Sequence, residues 1–108
     1  MEKYCWSEAK QFLIEKNFEL STDTLSDLEK LYDFYFEVVL PFNLIRIREG
    51  SDLFFQHIFD SIAPYLHLKE ELESYTNIVD LGSGPGLPLW PILVLSPNRK
   101  GIILERRA

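Results

Sequence analysis

The chain has 108 residues, 46% apolar and 26% charged, a composition that supports one domain with its own core and excludes a disordered or low-complexity chain. Its single cysteine, Cys5, excludes an internal disulfide, and the mixed, acidic start MEKYCWSEAK lacks the apolar stretch of a secretory leader, so a reducing, cytoplasmic setting is expected. A net charge of −6 argues against a general nucleic-acid binder, yet residues 97–108 carry Arg99, Lys100, Arg106 and Arg107 against Glu105 alone.

In chain order, the first predicted element is a helix over SEAKQFLIEKNF, with Ser7 as N-cap and Glu8 favouring the helix N-terminus. A longer helix is predicted from about Asp23 to Leu40, because Leu25, Leu28, Leu31, Tyr32, Tyr35 and Val39 recur at three- and four-residue spacing. Thr24 with Asp27, or Ser26 with Glu29, supplies capping-box spacing near its start, and Pro41 should end it. The aromatic run Tyr32, Phe34, Tyr35 and Phe36 reads as core rather than as a stacking platform for bases.

NLIRIREGSD reads as a connector, with a turn at Gly50 and Ser51. A third helix should follow, capped by Ser51, with Phe54, Phe55, Ile58, Phe59 and Ile62 as its apolar stripe and Pro64 as its end. His57, Asp60 and Ser61 fall one helical turn apart beside that stripe, a spacing that lets a carboxylate satisfy the imidazole. With no second histidine or cysteine nearby, no metal site is expected.

Beyond KEELESY the pattern changes to NIVDL, a glycine loop, LPLWPILVL, SPNRKG and IILE. Strand, glycine turn, helix, turn, strand is the grammar of a parallel βαβ unit. Pro88 and Pro91 fall in the first turn of its helix or close to it, where proline is tolerated. Leu87 to Leu95, broken by those prolines, is too short to span a bilayer, so no membrane partner is expected. Residues 1–75 thus read as a helical region and 76–108 as the start of an α/β domain.

The loop in IVDLGSGPGLP carries three of the five glycines, spaced Gly82-x-Gly84-x-Gly86. Glycines ahead of a helix N-terminus let a ligand approach the backbone, at the strand end where open α/β sheets bind ligands. Glu105 ends the second strand 19 positions after Gly86, about the separation at which an acidic residue grips ribose hydroxyls. The spacing departs from the G-x-G-x-x-G fingerprint of dinucleotide enzymes, and the Gly-Lys-Ser/Thr of a phosphate loop is missing. A dinucleotide-dependent enzyme is therefore disfavoured. Asp80, two residues ahead of Gly82, suits a cationic or amino-bearing ligand. S-adenosyl-L-methionine is such a ligand, and VDLGSGPG resembles motif I of class I methyltransferases.

The set NLIRIRE, QHIFDSIAPYL, IVDLGSGPGLPLWPILVLSP and IILE resembles the bacterial 16S ribosomal RNA guanine-N7 methyltransferases, also called glucose-inhibited division protein B. The likeness spans roughly Asn43 to Glu105. It implies a Rossmann-like α/β fold and S-adenosyl-L-methionine as cofactor. The activity implied is methylation of a guanine N7 in 16S ribosomal RNA or the small-subunit particle. By resemblance Gly82, Ser83, Gly84, Gly86 and Leu87 line the cofactor pocket, Asp80 faces the methionine end and Glu105 takes the ribose. Arg46, Arg48, His57, Asp60 and Ser61 are then supporting or RNA-facing, and no catalytic residue is assigned.

The departures are Ile45 where the family has threonine, Gln56 where it has arginine, Val38 and Val39 in place of Trp-Asn, and Leu89 where a glycine follows Pro88. Leu89 is expected to hold the helix start further from the sheet or the ligand. The larger departure is length: the class needs about seven strands and this chain supplies two. It reads as an N-terminal half. The alternative is a non-catalytic fragment or truncated paralogue, a helical interaction module whose unpaired strand edges favour self-association.

Overall fold

The structure is a computed structural model and describes residues 2–72, 74–81, 87, 89–96 and 99–104. Helices occupy the first part of the chain and a parallel two-stranded sheet follows, with a helix between its strands.

Helix α1 spans Trp6–Glu15 and turns Ala9 and Leu13 fully inward. It starts before Ser7: Cys5 is the N-cap, in extended conformation, and its carbonyl accepts from the amides of Glu8 and Ala9. Ser7 is therefore helical, its hydroxyl 2.9 Å from the Cys5 thiol. Beyond Lys16 the chain reverses at Asn17, which adopts a left-handed φ of 61° and so ends the helix ahead of Phe18.

Helix α2 spans Thr22–Phe34 and is capped by Ser21, whose hydroxyl accepts from the Thr24 amide at 3.1 Å. Neither Thr24 nor Ser26 caps it. The true cap pairs with a threonine at the third helical position, so a search for a glutamate or glutamine there passes over it. Leu25, Leu28 and Tyr32 are buried along α2, and the winding continues as a π turn, Tyr35–Val39, that buries Tyr35 and Val39. Pro41 sits in the closing 3-10 turn, Leu40–Phe42, and Asn43 takes a φ of 57°. The aromatic run is core as expected at Tyr32 and Tyr35, whereas Phe34 packs at the surface against Trp90.

The third helical segment starts with a π-wound stretch, Leu53–Phe59, and passes into α3, Asp60–His67. Phe54, Ile58 and Ile62 are fully buried, and Phe12 of α1 meets Phe55 and Phe59 edge-on at 5.0 Å. Pro64 does not close the helix, which runs on to His67. Its ring falls just past the change from π to α winding, a shift of register that already interrupts the backbone ladder. A short helix α4, Lys69–Leu72, leads to the sheet.

Strands β1, Asn77–Leu81, and β2, Lys100–Leu104, pair in parallel from Asn77↔Lys100 to Leu81↔Leu104. Between them α5, Leu89–Leu95, covers one face of the sheet. The β-branched strands and apolar helix thus form the expected βαβ unit. Leu89 is buried, and it is accommodated because Gly101 on β2 presents no Cβ toward it. On the other face Val79, Leu81, Ile102 and Leu104 are exposed.

Candidate functional site

Alternation along β1 puts Ile78 and Asp80 on its more covered face, one residue short of the strand's carboxyl end. The Oδ2 atom of Asp80 is fully buried and has no hydrogen-bond partner among the described residues. Buried polar atoms are almost always paired, because an unmet acceptor forfeits its hydration without replacement. A carboxylate oxygen in this state suits a donor supplied by a ligand, such as a primary ammonium group. Leu87 is half-buried and packs against the main core. Gly82, Ser83, Gly84, Gly86 and Glu105 lie outside the described residues.

The connector before the third helical segment folds over a cavity of about 840 Å³ lined by Asn43, Arg46, Arg48, Asp52 and Gln56, with apolar walls from Leu40 and Ile45. Ile45 is buried and Ile47 half-buried, while Arg46 and Arg48 are exposed, so covered and open side chains alternate along the connector. The Asp52 carboxylate accepts from the amides of Arg48 at 2.8 Å and Glu49 at 3.1 Å. Those backbone donors, Arg48 first, hold its carboxyl below the ordinary range, with the charge of Arg48 adding to them. Asp52 thereby closes the turn ahead of the helix.

His57 does not pair with Asp60. Its Nε2 lies 3.2 Å from the Arg46 carbonyl, so the imidazole ties the helix to the connector. Asp60 is exposed, and no hydrogen bond joins it to His57 among the described residues. The π winding through Phe59 removes the i,i+3 adjacency that an α-helix would have provided. The Ser61 hydroxyl donates to the His57 carbonyl, a bond internal to the helix. Of the residues picked out in the sequence, Arg46 and His57 are brought together through one backbone carbonyl. Asp80 belongs to the sheet.

One polar residue was read in the sequence only as part of a basic terminus. Arg99, ahead of β2, donates from Nε to the Tyr75 carbonyl at 2.8 Å and from its terminal nitrogens to the Tyr65 hydroxyl at 2.6 Å and the Leu72 carbonyl at 2.5 Å. Its guanidinium lies 5.3 Å from the Tyr65 ring centroid and forms one wall of an apolar cavity of about 500 Å³ at the amino end of β1. Nothing local in SPNRKG signals these partners, which lie 24 to 34 residues earlier. Among the described residues no group of His, Cys, Asp and Glu is gathered to hold a metal, and no helix is long and apolar enough to cross a membrane.

Comparison with known proteins bears on this geometry. The chain is 30% identical over 102 residues to the ribosomal RNA small subunit methyltransferase G of Lactobacillus acidophilus, covering 92% of this chain and 42% of that protein. It is 33% identical over 93 residues to the protein of the same name from Lactobacillus johnsonii, covering 86% and 39%, and 28% identical over 99 residues to that of Shewanella woodyi, covering 92% and 46%. The chain thus spans about two fifths of the length of the curated relatives it matches. No solved structure matches it. The family model described as GidB, rRNA small subunit methyltransferase G, matches residues 24–108, and the chain belongs to that family.

Proposed function

We propose that the chain is the amino-terminal part of a cytoplasmic enzyme that methylates a guanine N7 of 16S ribosomal RNA with S-adenosyl-L-methionine as donor. Residues 1–75 form its helical region and residues from 76 onward begin its cofactor-binding α/β part. When bound, the cofactor supplies an electrophilic methyl group on a sulfonium. The observation that carries the reading is the Oδ2 of Asp80, buried and without a hydrogen-bond partner among the described residues, one residue short of the carboxyl end of β1 and two positions ahead of Gly82 in the chain. A primary ammonium is the donor that this oxygen lacks, so Asp80 fits the methionine end.

Gly82, Ser83, Gly84 and Gly86 are proposed to admit the cofactor close to the backbone, with Leu87 closing the pocket from the core side and Glu105 accepting from the ribose. Guanine N7 is already nucleophilic, so the work of the protein is to hold the methyl donor and the base in line. Isothermal titration calorimetry with S-adenosyl-L-methionine tests the reading. The full-length protein of which this chain is the amino-terminal part should bind, and Asp80→Asn in it should weaken binding by about tenfold or more through loss of a charge-assisted hydrogen bond. Absence of binding at millimolar ligand, or unchanged affinity in D80N, overturns it.

A second reading is favoured by the open face of the sheet, where Val79, Leu81, Ile102 and Leu104 are exposed. Here the chain alone is non-catalytic and self-associates through its strands. Sedimentation of a monodisperse monomer at high concentration would exclude it.

A further inference from the structure

We infer that the cavity at the amino end of β1 binds a small monocarboxylate with an apolar body, of the size of a medium-chain fatty acid. This site stands apart from the cofactor reading. Asn77, which lines the cavity, and Asp80 lie at opposite ends of β1, about 10 Å apart along the strand.

The walls are apolar. Leu68, Leu72, Ile78 of β1 and Ile92 of α5 line a space of about 500 Å³, a volume within the usual range of small-molecule pockets. Leu68 and Tyr75 are exposed, so the cavity has a mouth to solvent.

Against these walls stands one cation. Arg99 is half-buried, and its three hydrogen bonds run to neutral oxygens of Tyr75, Tyr65 and Leu72. It has no carboxylate partner among the described residues, where the ion pairs join Lys3 with Asp33 and Lys30 with Asp27. A guanidinium carries five N–H donors; three are used here, and two remain. Tyr65 adds another donor. It is 4% exposed, its hydroxyl oxygen accepts from Arg99 at 2.6 Å, and nothing among the described residues accepts the hydroxyl proton. A half-buried charge without a counter-charge and a buried O–H without an acceptor lack the same thing, an anionic oxygen.

A carboxylate supplies it. Its single charge matches the single guanidinium, and its two oxygens can accept both remaining N–H groups and the phenol. A phosphate dianion would bring a second charge that no other lining residue meets, and would lose its hydration against aliphatic walls. A neutral apolar molecule would fill the walls and leave the donors unmet. The carboxylate head therefore belongs at Arg99 and Tyr65, with the tail among the leucines and isoleucines.

Isothermal titration calorimetry of the full-length protein, of which this chain is the amino-terminal part, tests this with octanoate as the probe. Saturable binding of one octanoate per chain is expected. Hexanoate and butanoate should bind progressively more weakly, by about fourfold per methylene removed. Octanol keeps the tail and loses the charge, so it should bind about tenfold more weakly or worse, and octylammonium should not bind. Because Arg99 also holds the fold together, the protein side is tested at two other positions. Tyr65→Phe keeps the ring and should weaken octanoate about tenfold. Leu68→Trp, at an exposed position on the rim, should block the cavity. Circular dichroism establishes that both variants are folded. Octanol binding as tightly as octanoate, or wild-type octanoate affinity in either variant, overturns the inference. So does the absence of saturable binding at millimolar octanoate, the result expected where the rest of the full-length chain or a second copy fills the cavity.

Discussion

Gly101 of β2 lies so close under Leu89 of α5 that a Cβ at this glycine would stand 3.0 Å from Leu89 Cδ2, and 2.6 Å from Leu93 Cδ1. The bulk of Leu89 at the helix start is matched by the absence of a side chain on the strand. Both Leu contacts are ends of flexible side chains, so Gly101→Ala should cost no more than about 1 kcal/mol, whereas Gly101→Val should cost about 1–3 kcal/mol by overpacking. Leu89→Ala should cost about 2–5 kcal/mol as a buried truncation. Because the two sites touch, G101V and L89A together should cost less than their sum. Urea denaturation of the four proteins closes this cycle, and strict additivity would show that the contact carries no coupling.

Arg99, directly ahead of β2, joins α3, α4 and the segment after α4 through three hydrogen bonds to neutral oxygens. Arg99→Lys cannot reproduce three divergent donors from a planar fork, so it should lower stability by about 1–3 kcal/mol despite keeping the charge. Tyr65→Phe, which removes one acceptor and leaves the ring, should cost about 1 kcal/mol. Thermal melts followed by circular dichroism measure both, and R99K melting with the wild type would contradict the clamp.

The two serines near helix starts differ in what their hydroxyls do. Ser21 accepts the Thr24 amide, so Ser21→Ala should destabilise by about 1 kcal/mol. Ser7 caps nothing, and Ser7→Ala should stay within about 0.5 kcal/mol of the wild type. Chemical denaturation of the pair tests the assignment of caps.

Burial pushes the Tyr32 phenol up from 10.0 to about 12, with the charge of Asp33 adding to it, and burial raises Tyr35 as well. The native state therefore holds these protons more tightly than the unfolded chain. The stability involved is fully present below pH 10, the unfolded value, and is lost as the pH rises through the native value. The chain should unfold in base, and the ultraviolet signal of tyrosinate from Tyr32 and Tyr35 should grow together with loss of helical dichroism. Tyr32→Phe should move that transition to higher pH. It also removes the bond to the Tyr4 carbonyl, at a cost of about 1 kcal/mol near neutrality.

Periodicity and punctuation carried the architecture. Leu25, Leu28 and Tyr32 recur at helical spacing because one face of α2 meets the core, and NIVDL followed by glycines reads as a strand and turn whatever surrounds it. Asp80 was legible for the same reason: its place relative to the strand end and the glycine loop is a matter of spacing along the chain.

What the tertiary structure alone decided are the relations between segments distant in sequence, and the winding that sets them. Local rules assume α-helical spacing, so they pair His57 with Asp60 and stop a helix at Pro64. Packing of Phe54, Ile58 and Ile62 against α1 and α2 goes with a π-wound turn that cancels both expectations. The same packing sets His57 on the Arg46 carbonyl, Arg99 on Tyr65 and Leu89 over Gly101. Each of these contacts joins residues 11 to 34 positions apart. No periodicity encodes such a pairing, because it exists only once the core has brought the partners within reach.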